Sequence, residues 1–307
     1  MTAQRIVSFL PSATEMACAL GLEDRLFGIS HECDFPPSVR SKAVVVRSTL
    51  ALEQMTQAEI DAAVSACLRE SLSLYAVDEA AIRAIKPDLV LTQDLCQVCA
   101  PSGNEVVRLL NVLPAKPRVL YLTPKSLREI FDNLLELGDA TGQTEKAASL
   151  KRAYEARLSE LAAITKPLHR PRVFCMEWTD PIYCCGHWVP EMVRIAGGRD
   201  DLGRDGTDSV RIAWENVLDY RPEVLIVMPC GYGLQKSAEL ARSLFDRPGY
   251  AELPAASEGR VFAVDANAYF ARPGPRVVEG AELLAHLIHP DVVRWSNPAA
   301  FQRITPS

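Results

Sequence analysis

The sequence predicts an α/β fold of two lobes joined by a long helical segment, with a ligand cleft between the lobes. Short apolar runs alternate with helical patterns, which is typical of parallel strands covered by helices. This alternation occurs twice, and a long stretch of helical periodicity separates the two sets. The length of 307 residues exceeds what one small core needs and suits two lobes.

The first lobe, residues 1–123, opens on an apolar run that Pro11 ends. Strands are predicted at residues 5–10, 26–30, 43–46, 89–93 and 118–122. Helices are predicted at residues 12–20, 57–69, 79–85 and 104–111. Pro87 stops the third of these helices, and the apolar run that follows it indicates a strand buried on both faces.

A helical bridge, residues 124–168, follows the first lobe. Two helices are predicted in it, at residues 126–141 and 145–164. Gly142 closes the first helix, and Pro167 prevents the second from continuing. Because a helix of about 20 residues spans about 30 Å, the second helix is a rigid strut and not a flexible linker.

The second lobe, residues 169–290, repeats the alternation of strands and helices. Strands are predicted at residues 172–177, 224–228 and 261–264. Helices are predicted at residues 189–196, 213–218, 238–245 and 276–288. The remaining residues, 291–307, are assigned as a C-terminal tail.

The composition excludes several classes of partner and location. The net charge is −6, and the 33 basic residues form no basic stripe, so we expect no binding to nucleic acid or to an anionic membrane. No run approaches the roughly 18 apolar residues of a membrane span. The first apolar run is too short for a secretory signal. Nine cysteines, an odd number, indicate mostly reduced thiols. We therefore expect a cytoplasmic protein, and a periplasmic one only if the N-terminus is truncated.

The sequence contains no convincing enzyme signature, because the G-x-S-x-G elbow, the Walker loop and a G-x-G-x-x-G after the first strand are all missing. We expect binding without catalysis. One alternative is a thiol- or zinc-dependent enzyme built on Cys96 and Cys99, whose spacing allows two thiols to hold one metal ion or to form a redox disulfide. His31 and Cys33 would complete the zinc site; in the other interpretation, all four are unrelated loop residues.

The candidate site residues follow the predicted strands, because ligands of open α/β sheets bind beyond the carboxyl ends of the strands. In the first lobe these candidates are Ser12, His31, Glu32, Gln93, Cys96 and Cys99. In the second lobe they are Tyr183, His187, Trp188, Phe270 and Arg272. The ring of Trp188 suits stacking on a macrocycle, and the imidazole of His187 is able to ligate cobalt or iron. In the other interpretation, His187 caps a helix and Trp188 packs in the core.

Four segments resemble the ABC-transporter substrate-binding proteins for cobalamin, haem and iron siderophores. They are residues 6–15, 86–90, 186–192 with Gly197-Gly198, and 270–276. The resemblance covers residues 5–290 and implies two Rossmann-like lobes bridged by a long helix, with the ligand held between them. Within that family the chain is most similar to the cobalamin-binding branch, in a leaderless subgroup, through Leu74-Tyr75 and residues 92–99.

The resemblance also implies roles for single residues. Tyr183 falls where cobalamin binders place an aromatic ring against the corrin, and Phe270 and Arg272 fall in a loop that contacts the ligand. Glu32 stands in place of a tyrosine of those proteins. Ser209 stands at about the position of a tryptophan, so the pose of the corrin departs from that of those relatives.

A cobalamin-type corrinoid is therefore the expected ligand. Tyr183, Trp188 and Phe270 would cover its apolar faces, and the polar side chains of Ser12, Glu32, Gln93 and Arg272 would meet its amides. The alternative ligand is haem or a ferric siderophore, with a cysteine or histidine as axial ligand.

An ABC permease is one possible partner of a protein with this resemblance, and we expect the chain itself to be a monomer. Transport members of the family dock the permease through a surface glutamate on each lobe. Glu215 matches one of these glutamates, whereas Ala80 stands at the other position.

Overall fold

A computed structural model describes residues 2–70, 72–93, 110 and 113–306. The chain divides into two compact units, the first comprising Met1–Pro124 with Arg128–Arg152 and the second Lys125–Leu127 with Ala153–Ser307. Both units contain a sheet and helices, which confirms the predicted α/β class. Within the described ranges, no helix is both long enough and apolar enough to cross a membrane.

The first unit contains a six-stranded sheet in the order β4-β3-β2-β1-β5-β6. The strands are β1 (Ile6–Ser8), β2 (Leu26–Ser30), β3 (Ala43–Ser48), β4 (Tyr75–Val77), β5 (Leu89–Thr92) and β6 (Arg118–Tyr121). All neighbouring pairs are parallel except β3 and β4, which are antiparallel. The sequence predicts every strand of this sheet except β4.

The helices that lie wholly or partly in the first unit are α1 (Pro11–Ala19), α2 (Gln57–Arg69), α3 (Glu79–Ile85), α4 (Leu127–Thr141) and α5 (Thr144–Thr165). The Asp78 side chain begins α3 by accepting a hydrogen bond of 2.9 Å from the Ala81 amide. Lys86 ends α3 in the left-handed conformation, with φ of 51°, directly before Pro87. The predicted helix at 104–111 lies almost wholly outside the described residues.

The second unit contains a five-stranded sheet in the order β13-β12-β11-β7-β8. The strands of this unit are β7 (Val173–Thr179), β8 (Ile182–Cys184), β9 (Gly186–His187), β10 (Arg204–Asp205), β11 (Val224–Val227), β12 (Val261–Val264) and β13 (Phe301–Arg303). Strands β7, β11 and β12 are parallel, and β8 and β13 pair antiparallel at the two edges. Strands β9 and β10 form a separate parallel pair. Because β13 pairs with β12, part of the segment assigned as a tail is an edge strand.

The helices of the second unit are α6 (Val189–Ile195), α7 (Trp214–Tyr220), α8 (Leu234–Arg242), α9 (Pro254–Ser257), α10 (Ala266–Tyr269) and α11 (Val277–Ile288). Helix α8 begins at Leu234, four residues before the predicted start, because Gly233 is its N-cap. The Gly233 carbonyl accepts a hydrogen bond of 3.1 Å from the Ser237 amide. Strands β11 and β12 are buried along their whole length. This burial is expected for central parallel strands that helices cover on both faces.

Candidate functional site

Ser12 and Gln93 lie at the carboxyl ends of two neighbouring strands of the first unit. Ser12 stands in the first turn of α1, directly after β1, and Gln93 directly follows β5. The Phe9 amide donates to the Leu91 carbonyl at 2.9 Å, so the chain leaves both strands side by side. Both side chains are buried. The structure thus brings these two predicted residues to one edge of the sheet.

The turn after β2 carries His31, Glu32 and Cys33. His31 is exposed, whereas Cys33 is buried with its sulfur 3.1 Å from the Thr14 hydroxyl. Glu32 is partly buried, and its amide lies 3.4 Å from the Ser30 hydroxyl. This turn places Glu32 at the same end of the sheet as Ser12.

The structure gives no support to the zinc hypothesis. Among the residues that the structure describes, no group of three or more histidine, cysteine, aspartate or glutamate side chains is arranged to hold a metal ion. Cys96 and Cys99 lie outside the described residues. His31 is exposed while Cys33 is buried against Thr14, so the two side chains lie in different surroundings.

In the second unit, the β7–β8 hairpin presents Tyr183. The Arg211 Nε donates to the Tyr183 hydroxyl at 2.9 Å, and the guanidinium carbon lies 5.7 Å from the centre of the tyrosine ring. Trp178 meets the same ring edge-on, with centroids 6.1 Å apart. Tyr183 is therefore a partly buried aromatic side chain whose hydroxyl is already hydrogen-bonded.

Residues 207–212, here called the 207–212 segment, run alongside β8 and β9. The His187 amide donates to the Thr207 carbonyl at 2.7 Å, and the Cys184 amide donates to the Val210 carbonyl at 3.1 Å. Gly186 permits this approach, because a Cβ atom there would lie 2.6 Å from the Ser209 nitrogen. The segment therefore brings Asp208, Ser209 and Arg211 to the predicted site residues.

Glu177 and Ser209 form a polar pair, of which the sequence singles out only Ser209, as the position of a tryptophan in the family that the chain resembles. The Ser209 hydroxyl donates to the Glu177 carboxylate. Burial raises the pKa of Glu177 to about 7, and the hydrogen bond from Ser209 opposes that rise. The carboxyl group is thus able to donate or accept a hydrogen bond near neutral pH.

His187 is held by Asp208. The distance from His187 Nε2 to Asp208 Oδ1 is 3.1 Å, and the imidazole side chain is 18% exposed. Its ring stacks on Trp188 with centroids 5.5 Å apart and an interplanar angle of 29°. Burial lowers the pKa of His187; the hydrogen bond and the charge of Asp208 raise it, and Lys125 lowers it further. The imidazole is therefore held neutral in one orientation.

The structure corrects the role expected of Trp188 and Phe270. Trp188 is 5% exposed and Phe270 is 2% exposed, so neither ring has a free face on the surface. The Trp188 Nε1 donates to the Phe270 carbonyl at 2.9 Å, which ties the start of α6 to the end of α10. This agrees with the interpretation in which Trp188 packs in the core, and the same packing buries Phe270. Arg272 lies partly buried in the turn between α10 and α11.

The chain is similar in sequence to known binding proteins over nearly its whole length. The family described as "Periplasmic binding protein" matches residues 6–268. A vitamin B12-binding protein of Vibrio vulnificus (strain CMCP6) is 24% identical over 282 residues, covering 91% of this chain and 88% of that protein. An uncharacterized ABC transporter substrate-binding lipoprotein of Bacillus subtilis (strain 168) is 25% identical over 298 residues, covering 95% of this chain and 82% of that protein.

Solved structures share the fold. The periplasmic vitamin B12 binding protein BtuF of Vibrio cholerae superposes with a TM-score of 0.67 and 23% identity, covering 93% of this chain and 96% of that one. A periplasmic heme binding protein from Pseudomonas aeruginosa superposes with a TM-score of 0.73 and 20% identity, covering 99% of this chain and 100% of that one. At these identities the likeness shows the fold alone. Together with the match over residues 6–268, it establishes that this chain belongs to the periplasmic binding protein family.

Proposed function

We propose that this protein binds a cobalamin-type corrinoid and performs no catalysis on it. The proposal rests on the ligand named for the related proteins. Proteins that match 91% or more of this chain at 24–25% identity are named vitamin B12-binding protein in Vibrio vulnificus and Vibrio cholerae. Relatedness along the whole chain makes a shared ligand class the simplest expectation, although one fold hosts many ligands.

The polar groups of the second unit support this ligand chemically. A corrin ring carries amide side chains, which both donate and accept hydrogen bonds. Glu177 has a pKa of about 7 and offers either role, and the Tyr183 hydroxyl accepts a hydrogen bond from Arg211. Tyr183 also supplies an aromatic surface beside Trp178. Neutral groups of this kind suit an uncharged amide periphery.

Haem is the second candidate ligand, because solved haem-binding proteins share the fold. Haem carries two carboxylates, which bind best to cations. The second unit offers charges of both signs beside the predicted site residues, with Arg211 at Tyr183 and Asp208 at His187. These charges do not separate haem from the corrinoid, so the two ligands are titrated in parallel. A ferric siderophore is the remaining ligand class that the family resemblance implies. Calorimetric titration of the protein with a ferric siderophore tests it.

A tyrosine variant tests the proposal at the residue that the family resemblance places against the corrin. We expect Tyr183→Ala to weaken cyanocobalamin binding by about 10-fold or more in calorimetry, because an aromatic contact and its hydrogen bond are lost. The matched control is Tyr121→Ala, which removes an exposed tyrosine of the first unit and leaves the affinity unchanged. Equal affinity of the two variants for cyanocobalamin would contradict a role for Tyr183 in the site.

The compartment and the transport partner form a separate proposal. The odd number of cysteines, nine, supports a reducing compartment, which is the cytoplasm. Fractionation of the source cells with an antibody against this chain tests the location. Co-purification with a membrane permease would instead support a role in transport.

A further inference from the structure

The His187–Asp208 pair contains a ring nitrogen that no contact of the described structure uses. Asp208 Oδ1 lies 3.1 Å from His187 Nε2. Because an ionised carboxylate only accepts hydrogen bonds, the proton of the neutral imidazole is on Nε2 and the lone pair is on Nδ1. Among the described residues, Nδ1 has no hydrogen-bond partner.

The surroundings fix the direction of this lone pair. The ring stacks on Trp188, so its plane is held. The backbone of His187 has φ of 53°, a conformation that residues other than glycine rarely adopt. Strain of this kind persists only where the surrounding structure holds the backbone in place.

We infer that His187 Nδ1 is an axial ligand for the cobalt of the bound corrinoid. This inference rests on the proposed function and adds to it a ligand class: corrinoids with an exchangeable axial position. A histidine whose other ring nitrogen donates to a carboxylate is the usual arrangement of a metal-ligating histidine, and here Asp208 is the positioning residue.

The ligation step is an exchange of ligands at cobalt. The Nδ1 lone pair forms the cobalt–nitrogen bond, and the bond from cobalt to a bound water breaks, with the water leaving with its own electron pair. The proton stays on Nε2 beside Asp208, and the oxidation state of cobalt does not change. Asp208 strengthens the bond by making the imidazole more basic.

Among the residues that the structure describes, no other histidine lies within hydrogen-bond distance of a carboxylate. His286 and His289 each place a ring nitrogen on a backbone carbonyl, at 2.8 and 3.2 Å. His169 has an 82% exposed side chain that lies 3.9 Å from a carboxylate. His31 is exposed, and its Nδ1 lies 3.4 Å from a hydroxyl. His169 is the control, because its side chain is exposed and it is not among the candidate site residues.

The visible spectrum of bound aquocobinamide tests the inference. With the wild type we expect the corrin bands to shift on binding, because nitrogen replaces water on cobalt. His187→Asn should abolish that shift, since asparagine tolerates the same backbone conformation but is a poor cobalt ligand. His169→Asn should shift the bands as the wild type does. Asp208→Asn should weaken aquocobinamide binding by about 10- to 100-fold and reduce the band shift.

Dicyanocobinamide separates this inference from the proposed function. Cyanide occupies both axial positions of its cobalt, so the protein is able to bind it only without a histidine ligand. Equal binding of dicyanocobinamide by the wild type and His187→Asn shows that the variant is folded and that the site accepts corrinoids. Against that background, a band shift with aquocobinamide that persists in His187→Asn overturns the axial ligand but leaves the proposed function. Failure of the wild type to bind either cobinamide overturns both.

Discussion

The indole nitrogen of Trp188 donates a hydrogen bond of 2.9 Å to the backbone carbonyl of Phe270, and both side chains are buried. The two residues are separated by 82 positions in the sequence, so this bond fixes one loop of the second unit to another. It gives the indole nitrogen of a buried tryptophan its hydrogen-bond partner. It also predicts that Trp188 acts on stability more than on ligand affinity.

The variant Trp188→Phe tests this role. Removal of the indole donor leaves the buried Phe270 carbonyl without its partner, which costs about 1–3 kcal/mol of the free energy of unfolding. Denaturant titration measures the loss. The control is Trp295→Phe, whose indole donates to the Asn297 carbonyl at an exposed position, so water replaces the lost bond. A large loss of corrinoid affinity without loss of stability would instead place Trp188 against the ligand.

The variant Gly186→Ala tests the close approach of the 207–212 segment. A Cβ atom at residue 186 would lie 2.6 Å from the Ser209 nitrogen, so backbone atoms must move. We expect a loss of about 1–3 kcal/mol in the free energy of unfolding. Gly233→Ala is the matched control, because the nearest atom to its Cβ is 4.0 Å away and its φ is −84°. If both variants are equally stable, the segment does not lie where the structure places it.

Glu177 predicts a pH dependence of stability. Burial raises the pKa of this carboxyl from its usual 4.5 to about 7, so the folded state retains a proton that the unfolded state loses. The contribution to stability is fully present below the unfolded pKa and is lost as the pH rises through the folded pKa. The melting temperature of the wild type should therefore fall as the pH rises across this interval.

Glu177→Gln isolates that contribution. Glutamine is neutral at every pH, so the variant should show a smaller fall in melting temperature between about pH 5 and about pH 8. Some fall should remain, because burial also raises the pKa of Asp200 to about 7. The control is Glu252→Gln, which changes an exposed carboxylate. If the melting temperatures of Glu177→Gln and the wild type fall equally over this pH range, Glu177 is ionised in the folded protein.

The regular elements of this chain could be predicted from sequence wherever hydrophobic pattern and chain-breaking residues coincide. Strands β2 and β12 and helices α2 and α3 have the predicted bounds. The edge strands β4, β8 and β13 were missed, because each has three residues and its hydrogen bonds come from a distant partner strand. Short edge strands carry little periodicity of their own.

The candidate site could be predicted only in part. The rule that ligands lie beyond strand ends selected Tyr183 and His187, which the structure surrounds with polar partners. It did not select Asp208 or Arg211, because the strand before them, β10, has only two residues, both of them charged, so no apolar run predicts it. Nor did it show that Trp188 is buried, since an aromatic residue suits a ligand face and a core equally well.

A calorimetric titration with hydroxocobalamin, run in parallel with haem, tests the central claim most directly. The account predicts one-to-one binding of hydroxocobalamin with micromolar or tighter affinity, and weaker binding of haem. Absence of heat with hydroxocobalamin, or tighter binding of haem, would contradict the corrinoid assignment and leave only the family.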